Sequence, residues 1–156
     1  MFQKIFLFSL VLIIAASCTK ADSTPDFSAI DKQVIEDYLA VKKLTAVSTS
    51  SGLYYIITTP GDAVHPTLNS TVTAYYRGYL TDGSIFDQST YTAKKPATFP
   101  LTDVITGWQE GLQLIGAGGK IKLLIPSALG YGGNTKPGIP MNSVTIFDIE
   151  LVSFTN

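Results

Sequence analysis

Hydrophobic and polar positions obey different rules in different parts of this chain. From Ile5 to Ala16 apolar and small residues run on without a break, with Ser9 as the one hydroxyl. Further along, Ile30, Val34, Tyr38 and Val41 recur at helical spacing, which predicts an amphipathic helix. Ser28 stands where its cap belongs and Asp31 follows three residues later, in capping-box fashion. Lys42 and Lys43 place positive charge at the end of the helix where the dipole favours it. The run Ser48-Thr49-Ser50-Ser51-Gly52 then stops the pattern.

Beyond Gly52 the period shortens. Leu53 to Thr59, Thr71 to Leu80, Ala97 to Leu101, Lys120 to Ile125 and Val144 to Ser153 are rich in β-branched and aromatic residues and are separated by Gly, Pro and Asp, the signature of strands. Lys120 and Lys122 flank Ile121 and Leu123, while Phe147, Ile149 and Leu151 alternate with Asp148 and Glu150. Each of these strands therefore offers one apolar and one charged face, which predicts an antiparallel sheet with one wet side. Between the third and fourth strands, Trp108 to Leu114 is long enough for two turns of helix. The expected fold class is α+β: a curved antiparallel sheet of five to six strands wrapped on one short helix, with an N-terminal helix extension.

Composition narrows the function. The chain has 156 residues, of which 46% are hydrophobic and 15% charged, enough for one domain with a buried core. A net charge of −1 gives no basic footprint for nucleic acid. One Cys and one His fall short of the three or four Cys and His ligands a zinc site normally draws, and do not easily assemble a Cys or Ser nucleophile with its base. The expectation is no metal and no cofactor. His65, within Gly61-Asp62-Ala63-Val64-His65-Pro66, reads as a solvated loop residue.

The N-terminus reads as an address. Lys4 precedes the apolar run, which is too short to span a bilayer and suits a secretory signal peptide. Ala15-Ala16-Ser17-Cys18 resembles a bacterial lipobox, in which Cys18 is acylated and becomes the mature N-terminus. The expected organisation is a lipoprotein signal peptide at 1–17, a tether at 18–27, a helical spacer at 28–47 and a folded domain at 48–156. Acyl chains hold a protein to a membrane without a spanning helix. The protein is thus expected to be exported and lipid-anchored, with the outer membrane favoured because Thr19 follows Cys18 where some bacteria use Asp for inner-membrane retention.

Four ordered blocks carry the chemistry. They are VTAYYRGYLTDGSIFDQS from Val72, VITGWQEG from Val104, IPSALGYGG from Ile125 and PGIPMNSVTIFDIELV from Pro137. Together they resemble the FKBP-type peptidyl-prolyl cis/trans isomerases over roughly residues 52–152. The resemblance implies a catalytic set of Tyr76, Phe86, Asp87 and Tyr131 and a substrate-binding set of Phe99, Val104, Ile105, Trp108, Ile139 and Phe147. Trp108 matches the family's pocket floor, and Val104 and Ile105 match aliphatics whose backbone meets the substrate. Two roles stay open for Asp87: orienting a tyrosine hydroxyl, or tying its own loop. The implied partners are proline-containing unfolded or partly folded proteins, the membrane through the anchor, and the family's macrolide inhibitors.

The same residues make sense without the family. Resonance opposes rotation about a peptide C–N bond by about 18–20 kcal/mol, and X-Pro bonds exchange slowly for that reason. An apolar slot that grips the proline ring, excludes water and offers the twisted carbonyl a donor lowers the barrier with no covalent step. Departures from the family pattern include Ala97 after Pro96, where most members carry an aromatic, and a single aliphatic at Ile139 in place of a pair. The alternative is a chaperone that holds proline-containing segments in this pocket without turnover. A further alternative is a structural lipoprotein that reuses the fold.

Overall fold

A computed structural model describes residues 26–89 and 95–156. The expected signal peptide, Cys18 and most of the tether lie outside the described residues. No helix among the described residues is long and apolar enough to cross a membrane.

The first helix, α1 (Phe27–Lys42), is capped by Asp26 rather than Ser28: Asp26 Oδ1 accepts from the Ser28 and Ala29 amides at 3.1 and 3.4 Å. It ends at Lys43 in the left-handed region, φ 54°, whose N–H donates to the Ala40 carbonyl. Its buried positions are Asp31, Ile35 and Leu39. The stripe that the sequence suggests is therefore rotated from the true inner face, and Ile30 and Val41 stand exposed. A carboxylate at the centre of the buried face hides the apolar period.

Seven strands follow: β1 (Val47–Ser48), β2 (Tyr54–Thr59), β3 (Thr71–Tyr79), β4 (Ile85–Gln88), β5 (Ala97–Pro100), β6 (Lys120–Ile125) and β7 (Thr145–Thr155). Their order is β1-β2-β6-β7-β3-β4, every pairing is antiparallel, and β5 joins at β3. The outer edge of β3 is shared: β5 pairs Thr71 to Ala74 and β4 pairs Arg77 to Tyr79. The two strands beyond the expected set, β1 and β4, have two and four residues, too few to show alternation.

The second helix, α2 (Thr106–Leu112), crosses the concave face. Gly107 and Gly111 let it approach β6 closely, because a Cβ at either would fall 2.6 or 2.5 Å from the Ile125 or Leu123 side chain. Under α2 lies the main core, built from Val72, Ala74, Tyr76, Trp108, Leu112, Ile121, Leu123, Phe147, Ile149 and Leu151. At roughly 25 cal/mol per Å² of apolar surface removed from water, this burial is the main force that holds sheet to helix.

The other face of the sheet is not wholly wet. Ile35 and Leu39 of α1 pack there on Tyr79, Leu124, Val144 and Ile146. The rest of that face carries cross-strand ion pairs: Lys120 with Glu150 at 3.1 Å, Arg77 with Asp148 at 2.8 Å, and Lys122 with Asp148.

Candidate functional site

Alternation along β3 sends Val72, Ala74 and Tyr76 to the concave face, and alternation along β7 sends Phe147 there too. Trp108 comes up from α2 and lies at the centre of an edge-to-face aromatic set. Its ring centroid is 5.2 Å from Tyr76, 5.9 Å from Phe99 and 5.4 Å from Phe147. Phe147 meets Phe86 at 5.5 Å, and Phe86 meets Tyr131 at 6.2 Å. Gly78 is what lets this happen, since a Cβ there would fall 2.6 Å from both Phe86 and Phe147. Edge-to-face pairs hold rings in defined orientations, so the walls are set before any ligand arrives.

These residues enclose a cavity of about 240 Å³ lined by Tyr76, Asp87, Phe99, Asp103, Val104, Ile105, Trp108, Tyr131 and Phe147. Phe86 stands behind the lining as a buttress between Phe147 and Tyr131. Ile139, expected as part of the binding set, is buried but not in the lining. It sits in a tight turn: the Ile139 amide donates to the Lys136 carbonyl at 2.9 Å, and Gly138 at φ 77° carries the chain past Phe86. Gly138 passes close to Phe86, where an added Cβ would lie 3.1 Å from the Phe86 Cβ.

Polar groups are few and placed at the rim. The Tyr76 hydroxyl donates to Asp87 Oδ2 at 2.9 Å, so of the two roles open for Asp87 the geometry contains the tyrosine contact. Among the described residues Asp87 has no ion pair. Burial, reinforced by the hydrogen bond and negative charge of Asp87, pushes the Tyr76 hydroxyl far above the ordinary tyrosine range. Burial, then the Asp87 charge, raises Tyr131 as well. Both hydroxyls therefore stay protonated near neutral pH and can donate.

The backbone contributes too. Ile105 occupies the N-cap position of α2, and its carbonyl accepts from the Trp108 and Gln109 amides at 2.9 and 3.1 Å. Gln109 Nε2 donates to the Val104 carbonyl at 2.8 Å, so the Val104–Ile105 segment is held from behind. Among the described residues the buried Trp108 indole N–H has no hydrogen-bond partner.

Two contributors escaped the sequence reading. Asp103 lines the cavity from the short 3₁₀ turn Leu101–Asp103, and an exposed acid in a turn gives no pattern to read. Ser89 is buried beside Tyr76: its hydroxyl accepts from the Tyr76 amide at 2.8 Å, and its own amide donates to the Tyr76 carbonyl at 2.9 Å. It continues the sheet edge between the β5 and β4 pairings and so fixes the residue whose hydroxyl meets Asp87. No cluster of three or more metal-ligating side chains occurs among the described residues.

Comparison with known proteins agrees with this architecture. A family model described as FKBP-type peptidyl-prolyl cis-trans isomerase matches residues 62–152. The chain is 47% identical over 137 residues to a protein from Buchnera aphidicola subsp. Schizaphis graminum named FKBP-type peptidyl-prolyl cis-trans isomerase FkpA, covering 84% of this chain and 54% of that one. A relative of the same name from Escherichia coli K12 is 48% identical over 105 residues, 67% of this chain and 38% of its own. The chain thus spans about half the length of such relatives, or less. Among solved structures, that of FkpA from Escherichia coli superposes with a TM-score of 0.72 at 41% identity, covering 82% of this chain and 61% of that one. A peptidyl-prolyl cis-trans isomerase from Pseudomonas syringae pv. tomato gives a TM-score of 0.69 at 32% identity, covering 85% and 99%.

Proposed function

The chain belongs to the FKBP-type peptidyl-prolyl cis-trans isomerase family, and from that premise we propose that it accelerates rotation about X-Pro bonds in exported proteins as they fold. The observation that carries the reading is the aromatic cavity itself, in which Trp108, Tyr76, Phe99 and Phe147 form an apolar slot while the Asp87 and Tyr131 groups stand beside it.

In this mechanism the proline ring lies against the Trp108 indole between Val104, Ile105, Phe99 and Phe147. Removal of water disfavours the planar, polar amide relative to the twisted one. The Tyr131 hydroxyl donates to the carbonyl as it turns out of conjugation. Asp87 orients the Tyr76 hydroxyl and keeps that wall in place. Acceleration of about 10⁵ requires about 7 kcal/mol, a sum that several such effects reach together. Macrolides of the kind that bind the family are expected in the same cavity.

The anchoring reading is part of the proposal. The apolar run, Cys18 and the polar stretch after it support an exported lipoprotein, with 1–17 removed and the membrane reached through acylated Cys18. Proline-containing, incompletely folded proteins are the proposed substrates. The test is exchange of X-Pro peptides followed by NMR or protease coupling, using the full chain in detergent. Faster exchange that vanishes on occupying the cavity supports the reading. Binding of unfolded chains without faster exchange replaces it with a holding chaperone. For the anchor, Cys18→Ser is expected to release the protein in soluble form.

A further inference from the structure

Asp31 sits on the inner side of α1 and is 2% exposed. A carboxylate survives there only if its oxygens are hydrogen-bonded. Its Oδ2 accepts from two donors of one residue, the Ser127 amide at 2.7 Å and the Ser127 hydroxyl at 2.6 Å. Ser127 opens the loop that leaves β6 and is itself buried. Its carbonyl accepts in turn from the Gly130 amide at 3.0 Å and the Gly132 amide at 2.8 Å.

Those two glycines flank Tyr131. Gly132 adopts φ 57°, and its carbonyl accepts from the Asn142 amide at 2.8 Å, which closes the loop on itself. One serine therefore grips the backbone on both sides of Tyr131, and one carboxylate, 96 positions earlier in the chain, grips that serine. Another polar tie between α1 and the domain, from the Tyr54 hydroxyl to Glu36 at 3.3 Å, is exposed and does not involve this loop.

We propose that Asp31 is a positioning residue of the cavity: by fixing Ser127 it sets where the Tyr131 ring stands against Phe86 and where its hydroxyl stands beside Asp87. The first helix is then a working part of the site. The consequence for turnover rests on the isomerase reading above, whereas the consequence for Tyr131 rests on the hydrogen bonds alone.

The experiment uses the full chain in detergent, labelled with 3-fluorotyrosine, with the Tyr131 resonance assigned by its loss in Tyr131→Phe. Asp31→Ala is expected to shift or broaden that resonance and to lower kcat/KM on the order of tenfold, since small misplacements of a reacting group are costly in rate. Asp31→Asn, whose amide oxygen can accept from both Ser127 donors, is expected to restore the resonance and most of the rate. In the Tyr131→Phe background Asp31→Ala is expected to cost almost nothing more, as for residues that act through one another. An unmoved Tyr131 resonance in Asp31→Ala overturns the proposal, as does a rate loss that multiplies onto Tyr131→Phe. If Asp31→Ala fails to fold, Ser127→Ala decides the matter by the same resonance, which must move. A wild-type chain without isomerase activity defeats the functional reading and leaves the resonance to judge the positioning.

Discussion

The Tyr76 hydroxyl donates to Asp87 Oδ2 at 2.9 Å from a strand whose outer edge passes from β5 to β4 at that point. The contact ties β3 to its neighbour β4 at the mouth of the cavity. Tyr76→Phe removes the donor and leaves the ring, so stability is expected to drop by about 1 kcal/mol. Chemical denaturation measures that drop, and a loss well above it would mean that Tyr76 has a further partner.

Tyr131→Phe tests the hydroxyl proposed to donate to the substrate carbonyl. Loss of a single donor to the twisted carbonyl is worth about 1–1.5 kcal/mol, and the expected outcome is a fall in kcat/KM of roughly tenfold with unfolding unchanged. Protease-coupled or NMR exchange on an X-Pro peptide reads it directly. An unchanged rate would remove Tyr131 from the chemistry.

The pH profile follows from the two raised tyrosines. Burial and the Asp87 charge raise both hydroxyls above their ordinary value, so both remain protonated donors, and the proposed mechanism moves no proton. Isomerisation is expected to stay flat from about pH 6 to pH 9 and to fall only above the ordinary tyrosine value near 10. The stability that accompanies a raised tyrosine runs the same way, complete below about 10 and lost as pH climbs through the folded-state value. A bell-shaped profile centred near neutrality would point to a different mechanism.

On the opposite side of the sheet, burial alone would raise the Asp148 carboxyl, but hydrogen bonds and charge from Lys122 and Arg77 outweigh it and hold it below the usual carboxylate value. A depressed carboxyl stabilises the fold above its unfolded value, near 3.9, and loses that contribution as acid drives pH down through the folded value. Acid unfolding of Asp148→Asn is expected to be less steep below about pH 4 than that of the wild type. Parallel acid titrations followed by circular dichroism compare them.

Gly78→Ala places a methyl group 2.6 Å from both Phe86 and Phe147. Overpacking of this kind costs about 1–3 kcal/mol, and here the displaced rings are a cavity wall and its buttress. Lower thermal stability and weaker substrate binding are expected together. A variant that keeps wild-type KM would show that Phe86 and Phe147 can yield without reshaping the slot.

Much of this was legible from residue pattern. Lys120 to Ile125 and the Phe147-Ile149-Leu151 series alternate because one side meets α2 and the other carries charge. Trp108, Tyr76, Phe99, Val104, Ile105, Asp87, Tyr131 and Phe147, grouped by the family resemblance, line one cavity. What resisted reading has physical causes. β4 is four residues long and paired on one side, so it has no room for a period. α1 buries an acid among its apolar contacts, and the acid's partner is a serine far away in sequence. Asp103 takes its place in the lining from tertiary proximity alone.

The docking of Ile35 and Leu39 onto Tyr79, Leu124 and Ile146 sets a practical limit on how the protein can be cut. A fragment that starts at Gly52 would carry an intact motif set yet leave bare a greasy convex surface. Such a fragment would tend to clump, and its poor behaviour would be misread as a defect of the cavity on the far side.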